Sequence, residues 1–229
     1  EYLINSIWTN EKISEKNYKK LHNFFWLFSI DLKSSKKITQ SIISNWIDLN
    51  HNYNQNNWEI DILSKRLISW ISNSQLTYDQ STEKYKEKFN NIIKKQINHL
   101  INEINRSELV DDKMIGCSAI ILAGLSYQNK ENYLNYGQNL LKKIISSSFD
   151  QDGFPKSRNP EEVFICIKYL ILIREWFKEA QKNIPDYLND IIDKCGKCYV
   201  LLSCSNKQFP LFNGATEISH KDYDIFLKN

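Results

Sequence analysis

A chain of 229 residues with 41% apolar content can bury a sizeable core, as one large domain or two small ones. Its formal charge of +3 comes from Lys and Arg interleaved with Asp and Glu, so bulk charge gives no case for a nucleic-acid partner. No apolar run reaches bilayer length, since Lys168 interrupts the longest one at 164–173, and no membrane segment is expected.

The chain opens on Glu1 without a charged-then-apolar leader and closes in a polar segment, 220–229, which suggests a piece of a longer protein. No compartment follows from it. The five cysteines, Cys117, Cys166, Cys195, Cys198 and Cys204, are odd in number and lack framework spacing, so free thiols are expected. Cys195-Gly196-Lys197-Cys198 has redox and zinc spacing, with Cys204 as a third possible ligand. It falls inside a helical pattern, however, with no preceding strand and no His at zinc-finger spacing. The reading is core cysteines, with no metal and no cofactor.

Apolar residues at three-and-four spacing predict a helix over 17–32, with Leu21, Phe24, Phe25, Phe28 and Leu32 inward. A second helix over 36–49 would bury Ile38, Ile42, Ile43, Trp46 and Ile47. The Asn-rich run 51–57 has too few apolar residues to pack and breaks the pattern. The third helix, 58–72, carries Trp58, Ile62, Leu63, Leu67, Trp70 and Ile71, with Arg66 in their aromatic neighbourhood. Ser81 or Thr82 starts the longest helix, to about Ile104, whose lysines 84, 88, 94 and 95 mostly face out.

The fifth helix, 113–127, is apolar nearly all round and therefore central, and Gly116, Cys117, Ala119, Ala123 and Gly124 permit close helix approach. Asp111-Asp112 at its start lacks the third carboxylate of a metal-binding aspartate motif. Helices over 131–149, 160–182 and 185–203 follow, and 208–214 is the one stretch suited to a short strand or a ligand-facing loop.

Between the sixth and seventh helices lies a polar turn, 149–162. Asp152-Gly153 is a turn signal, and Asn159-Pro160-Glu161-Glu162 reads as a helix start with Asn as N-cap. Lys156 and Arg158 sit between the two signals. Two readings stand: a contact for an acidic ligand, or a solvated loop whose cations pair with Glu161 and Glu162. Eight helices on short loops, without strand alternation, a Gly-rich phosphate turn or a strict repeat, make an all-α chain of antiparallel helical hairpins. In sequence that is what an α/α toroid looks like.

In order, Phe25-Trp26, Trp46-Ile47, Trp58 with Arg66-Leu67-Ile68-Ser69-Trp70, Ala123-Gly124-Leu125, Asp152-Gly153 with Ser157-Arg158-Asn159-Pro160, Leu172-Ile173-Arg174, Pro185 with Leu188, and Leu211-Phe212-Asn213-Gly214 run through the chain. Together they resemble the heparinase II/III-like proteins, bacterial relatives of polysaccharide lyases. The resemblance implies that residues 1–229 form a single, incomplete α/α toroid, followed in the complete protein by a C-terminal β-sandwich absent here. It implies an acidic polysaccharide or oligosaccharide as partner and β-elimination as the chemistry, where a base removes the proton α to a uronate carboxyl group whose charge must be neutralised.

Arg158, Asn159, Arg66, Asn213 and Lys156 have the chemistry to meet such a carboxylate. Trp58 and Trp70 would either stack sugar faces or pack the core. No catalytic residue is identified, because the sequence departs from its relatives at the acid/base positions. Where they tend to read Asp-Gly-Gly-His, Phe154-Pro155 follows Asp152-Gly153, and Glu162-Val163 replaces a common Tyr-His. A non-catalytic glycan-binding or helical scaffold domain is therefore the alternative, and a protein-interaction module would need a large exposed apolar patch.

Overall fold

The structure is a computed structural model and describes Trp8 and residues 13–30, 36–127, 131–202 and 210–216. All regular structure among them is helical, apart from one isolated bridge between Phe149 and Pro155. No helix of the described residues is long and apolar enough to cross a membrane. The chain divides into two compact units, Glu1–Asn105 and Arg106–Asn229.

The first unit contains α1 (Glu15–His22), α2 (Lys36–Asn50), α3 (Ile60–Ser72), the single turn α4 (Ser74–Thr77) and α5 (Glu83–Glu103). Ser14 and Thr82 cap α1 and α5, their hydroxyls accepting from Asn17 N and Tyr85 N. The helix expected over 17–32 breaks at Phe24, which adopts φ +58°, and a 3₁₀ segment Phe25–Ser29 follows. A left-handed Phe costs about 1–2 kcal/mol. Burial offsets it: the Phe24 ring is enclosed by Trp8, Trp26, Trp46 and Trp70 at centroid distances of 5.1–5.9 Å. Ser69 Oγ also donates to the Phe24 carbonyl at 2.5 Å.

Helix α3 packs against α1, the 3₁₀ segment and α5, while α2 packs on α4 and α5. On α2 the inward positions are Thr39, Ile43, Trp46 and Ile47, so the expected burial of Ile38 is corrected: it is 60% exposed. The buried stripe runs back four residues at a time from Ile47 through Ile43 to Thr39, with Trp46 beside it, which leaves Ile38 on the flank.

The second unit contains α6 (Val110–Ser126), α7 (Glu131–Ser148), α8 (Pro160–Glu179) and α9 (Asp186–Leu202). Helix α6 packs against both α7 and α8, and α8 against α9. Positions 114–123 of α6 are buried without interruption, as a helix apolar nearly all round requires. Gly124 and Gly137 set the α6–α7 distance: a Cβ on Gly124 would stand 2.5 Å from Leu134 N, and one on Gly137 2.6 Å from Ile121 Cγ1.

Candidate functional site

In the second unit the turn between α7 and α8 is built by its own hydrogen bonds. Asp150 N donates to Phe154 O at 2.9 Å, and Asp150 Oδ1 accepts from Asp152 N and Phe154 N at 3.1 and 2.9 Å. Gly153 has φ +85° and lies on α9, where a Cβ would meet Lys194 Cβ at 2.6 Å. Only glycine satisfies both conditions. Cys198 Sγ donates to Asp152 O at 3.3 Å, and Cys195 Sγ lies 3.9 Å from Gly153 O.

The Cys-x-x-Cys pair thus packs beneath the turn. Cys117, Cys166, Cys195 and Cys198 are free and buried, and Cys204 lies outside the described residues. Burial pushes the Cys195 thiol up to about 12 and also raises Cys198, which disfavours the thiolate. No group of three His, Cys, Asp or Glu among the described residues is arranged to hold a metal ion.

Lys156 faces back toward α7. Its backbone N–H donates to Ser148 O and its ammonium to Ser146 O, both at 2.8 Å, where a cation suits the carbonyl end of a helix. Arg158 adopts φ +61°, its N–H bonded to Pro155 O at 2.9 Å and its carbonyl accepting from Asn213 Nδ2 at 3.1 Å. Its side chain is 64% exposed and reaches Asp150 Oδ2 only at 3.7 Å. Asn159 caps α8 through Oδ1, which accepts from Glu161 N at 2.9 Å.

The two glutamates at the start of α8 bond elsewhere. Ser157 Oγ donates to Glu162 Oε2 at 2.8 Å, and Thr216 donates from N and Oγ1 to the two oxygens of Glu161 at 2.9 Å each. The expected pairing of the loop cations with Glu161 and Glu162 is therefore replaced by these hydroxyl contacts, because Arg158 turns toward Asp150 and Lys156 toward α7. Segment 210–216 is a loop with a turn at Asn213-Gly214, not a strand, and Gln208 and Phe209 lie outside the described residues. Lys156, Arg158, Asn159 and Asn213 are thus brought together in one unit.

Trp58, Arg66 and Trp70 belong to the first unit and are interior. Arg66 and Trp70 expose 0% of their surface and Trp58 3%, so of the two readings of the tryptophans core packing holds, and the carboxylate contact expected of Arg66 is corrected to an interior role. Arg66 donates from Nη1 to His22 O at 3.0 Å, from Nη2 to Asn57 O at 2.9 Å and from Nε to Gln96 Oε1 at 3.3 Å. Trp70 meets Phe24 and Trp46 edge-on and tilts against Phe89. Trp58 is covered by Tyr53, His99 and Lys95.

Sequence reasoning passed over His22, whose Nδ1 accepts from Trp46 Nε1 at 3.0 Å. Burial, and secondarily the Arg66 charge, lowers its pKa to about 4. It also passed over Gln96 and the Thr216–Glu161 contact, all of which rest on partners remote in sequence. No short-range signal could have found them.

No protein-family model matches this sequence, and no curated protein matches it. Solved structures do. A heparan sulfate lyase from Pedobacter heparinus superposes with a TM-score of 0.70 at 15% identity, over 93% of this chain and 36% of that one. A heparinase III gives the same TM-score, identity and coverage. A further heparinase III gives 0.66 at 16% identity, over 94% of this chain and 39% of that one. The chain thus spans little more than a third of the length of these proteins. The likeness is one of fold: all-α, an incomplete α/α toroid of antiparallel helical hairpins, as found in heparinase III-type polysaccharide lyases.

Proposed function

We propose that residues 1–229 are the toroid of a heparinase II/III-like protein, followed by a β-sandwich in the complete protein, and that they bind an acidic polysaccharide. The likeness of fold over 93% of the chain to a heparan sulfate lyase carries this reading. The turn before α8 supports it. Arg158 presents an exposed guanidinium beside the start of a 20-residue helix, and Asn159 uses its oxygen for the cap, which leaves its amide nitrogen as a donor. Arg158 and Asn159 would contact a uronate carboxylate or a sulfate. Asn213 and Lys156 would hold the turn in place, through the Arg158 carbonyl and the end of α7.

The proposed role is binding rather than proton transfer in this turn. Phe154 and Pro155 offer no titratable group, and Pro155 is committed to the bridge with Phe149. A β-elimination on this scaffold would take its base and acid from other residues. The same observation favours a second reading, a helical scaffold that keeps the fold without the ligand. The four carboxylates of residues 150–162, against two cations, lean the same way.

Calorimetric titration of the chain with heparan sulfate and with a neutral glucan tests the proposal. Salt-sensitive binding of the first and none of the second is expected. Absence of binding to any uronate-containing polysaccharide would leave the scaffold reading.

A further inference from the structure

The Asn-rich run 51–57, too polar to pack, carries one aromatic residue, and the structure turns it outward. Tyr53 is 62% exposed. Its ring rests on Trp58 at a centroid distance of 6.1 Å and on His99 at 5.2 Å, and these two meet edge-on at 5.1 Å. Contacts hold the ring on its inner side, and its remaining surface is open to solvent.

The turn under it is tightly bonded. Trp58 N donates to Asn54 O at 2.9 Å, Asn54 Oδ1 accepts from Asn56 N at 2.9 Å and from Asn57 N at 3.4 Å, and the buried Asn57 donates from Nδ2 to Asn50 Oδ1. From α5, Lys95 Nζ donates to His51 O at 2.6 Å while lying 5.8 Å from the Trp58 ring centroid. An ammonium has three donors, so two remain. Asp48 is paired with Lys88, and Glu59 with Lys19.

We propose that this turn is a sugar-binding subsite in which Tyr53 stacks on a pyranose face and Lys95 meets that sugar's carboxylate or sulfate. An aromatic ring held on one side offers a flat apolar surface to the C–H face of a sugar at little further loss of side-chain freedom. The exposed Asn52, Gln55 and Asn56 of the turn supply amide donors and acceptors for hydroxyl groups. Burial lowers the His99 pKa although Glu103 opposes the shift, which disfavours the imidazolium and leaves Lys95 as the cation of this group. The sequence left Trp58 as either a stacking ring or a core residue. The structure gives the exposed position to Tyr53 and uses Trp58 as its support.

The inference rests on the proposed binding of an acidic polysaccharide, and the experiment separates the two. Size-fractionated heparan sulfate oligosaccharides are titrated into the parent chain, Tyr53→Ala, Tyr53→Phe, Lys95→Gln and Arg158→Gly. Tyr53→Ala is expected to weaken binding about five- to tenfold, in the range of a good aromatic contact. Tyr53→Phe, which keeps the ring, should bind as the parent does, and Lys95→Gln should weaken binding less as salt rises. Trp58 emission should shift on binding in the parent and not in Tyr53→Ala. If Tyr53→Ala binds as the parent while Arg158→Gly has lost affinity, the subsite is refuted and the proposed function stands. If Tyr53→Phe loses as much as Tyr53→Ala, stacking is refuted. If the parent binds no acidic oligosaccharide, both proposals fall.

Discussion

The Arg66 guanidinium lies over the Trp46 ring, with Cζ 4.3 Å from its centroid, in the buried centre of the first unit. Its hydrogen bonds go to two backbone carbonyls and a glutamine oxygen, with no carboxylate among them. Those bonds join the end of α1, the residue before Trp58, and α5. Burial lowers its pKa from 12.5 to about 9, so it remains a cation at neutral pH. The ring quadrupole and three acceptors stand in for lost water. An arginine that reads from sequence as a ligand contact is here an internal brace.

Replacing Arg66 with Met keeps much of the volume and leaves the His22 and Asn57 carbonyls without that donor. A loss of roughly 2–5 kcal/mol is expected, the range for breaking a buried charged network. Urea denaturation measures it. An Arg66→Met chain with parental stability and no affinity for acidic polysaccharide would return Arg66 to the ligand.

His22 gives a pH signature. Its folded pKa of about 4 lies below the ordinary 6.5, so between those values the unfolded chain binds more protons. Stability is then fully present above about pH 6.5, falls as pH drops through the window, and loses no more from this group below about 4. At 1.36 kcal/mol per pKa unit the full effect is about 3 kcal/mol. His22→Gln, which keeps an acceptor for Trp46 Nε1, should flatten the pH dependence of urea midpoints relative to the parent. Parallel curves for the two chains would contradict it.

Two glycines should respond to alanine with opposite signs. At Gly124 the new methyl meets the Leu134 backbone, so α6 and α7 must separate, at a cost of about 1–3 kcal/mol. At Gly196, inside α9, a Cβ meets nothing within 4 Å, and the helix gains about 0.5–1 kcal/mol. Thermal melting of both variants checks the pair, and equal shifts would contradict the packing described.

Much of the fold was legible because its signals are local. Thr82 and Asn159 cap helices as their side chains predict, Pro160 opens α8, and the nearly all-apolar run 114–123 marks the central helix of its unit. Depth was not legible. Periodicity tells which face of α3 is buried, but the acceptors that hold Arg66 inside lie 9, 30 and 44 residues away. Tertiary burial likewise decides the break at Phe24, against the helical pattern over 17–32. At the turn before α8 the sequence located the cap and the cations. It could not show Arg158 turning to Asp150, or Thr216 engaging Glu161 from 55 residues away.

Arg158→Gly tests the account at its centre. Because Arg158 has φ +61°, glycine keeps the backbone without strain, whereas alanine would add its own penalty. Calorimetric titration with heparan sulfate, beside thermal melting of the same samples, should show affinity reduced by about 1–3 kcal/mol, the range for a hydrogen bond to a charged group, with an unchanged Tm. An Arg158→Gly chain that binds heparan sulfate as tightly as the parent would contradict the assignment of this turn as the anion contact.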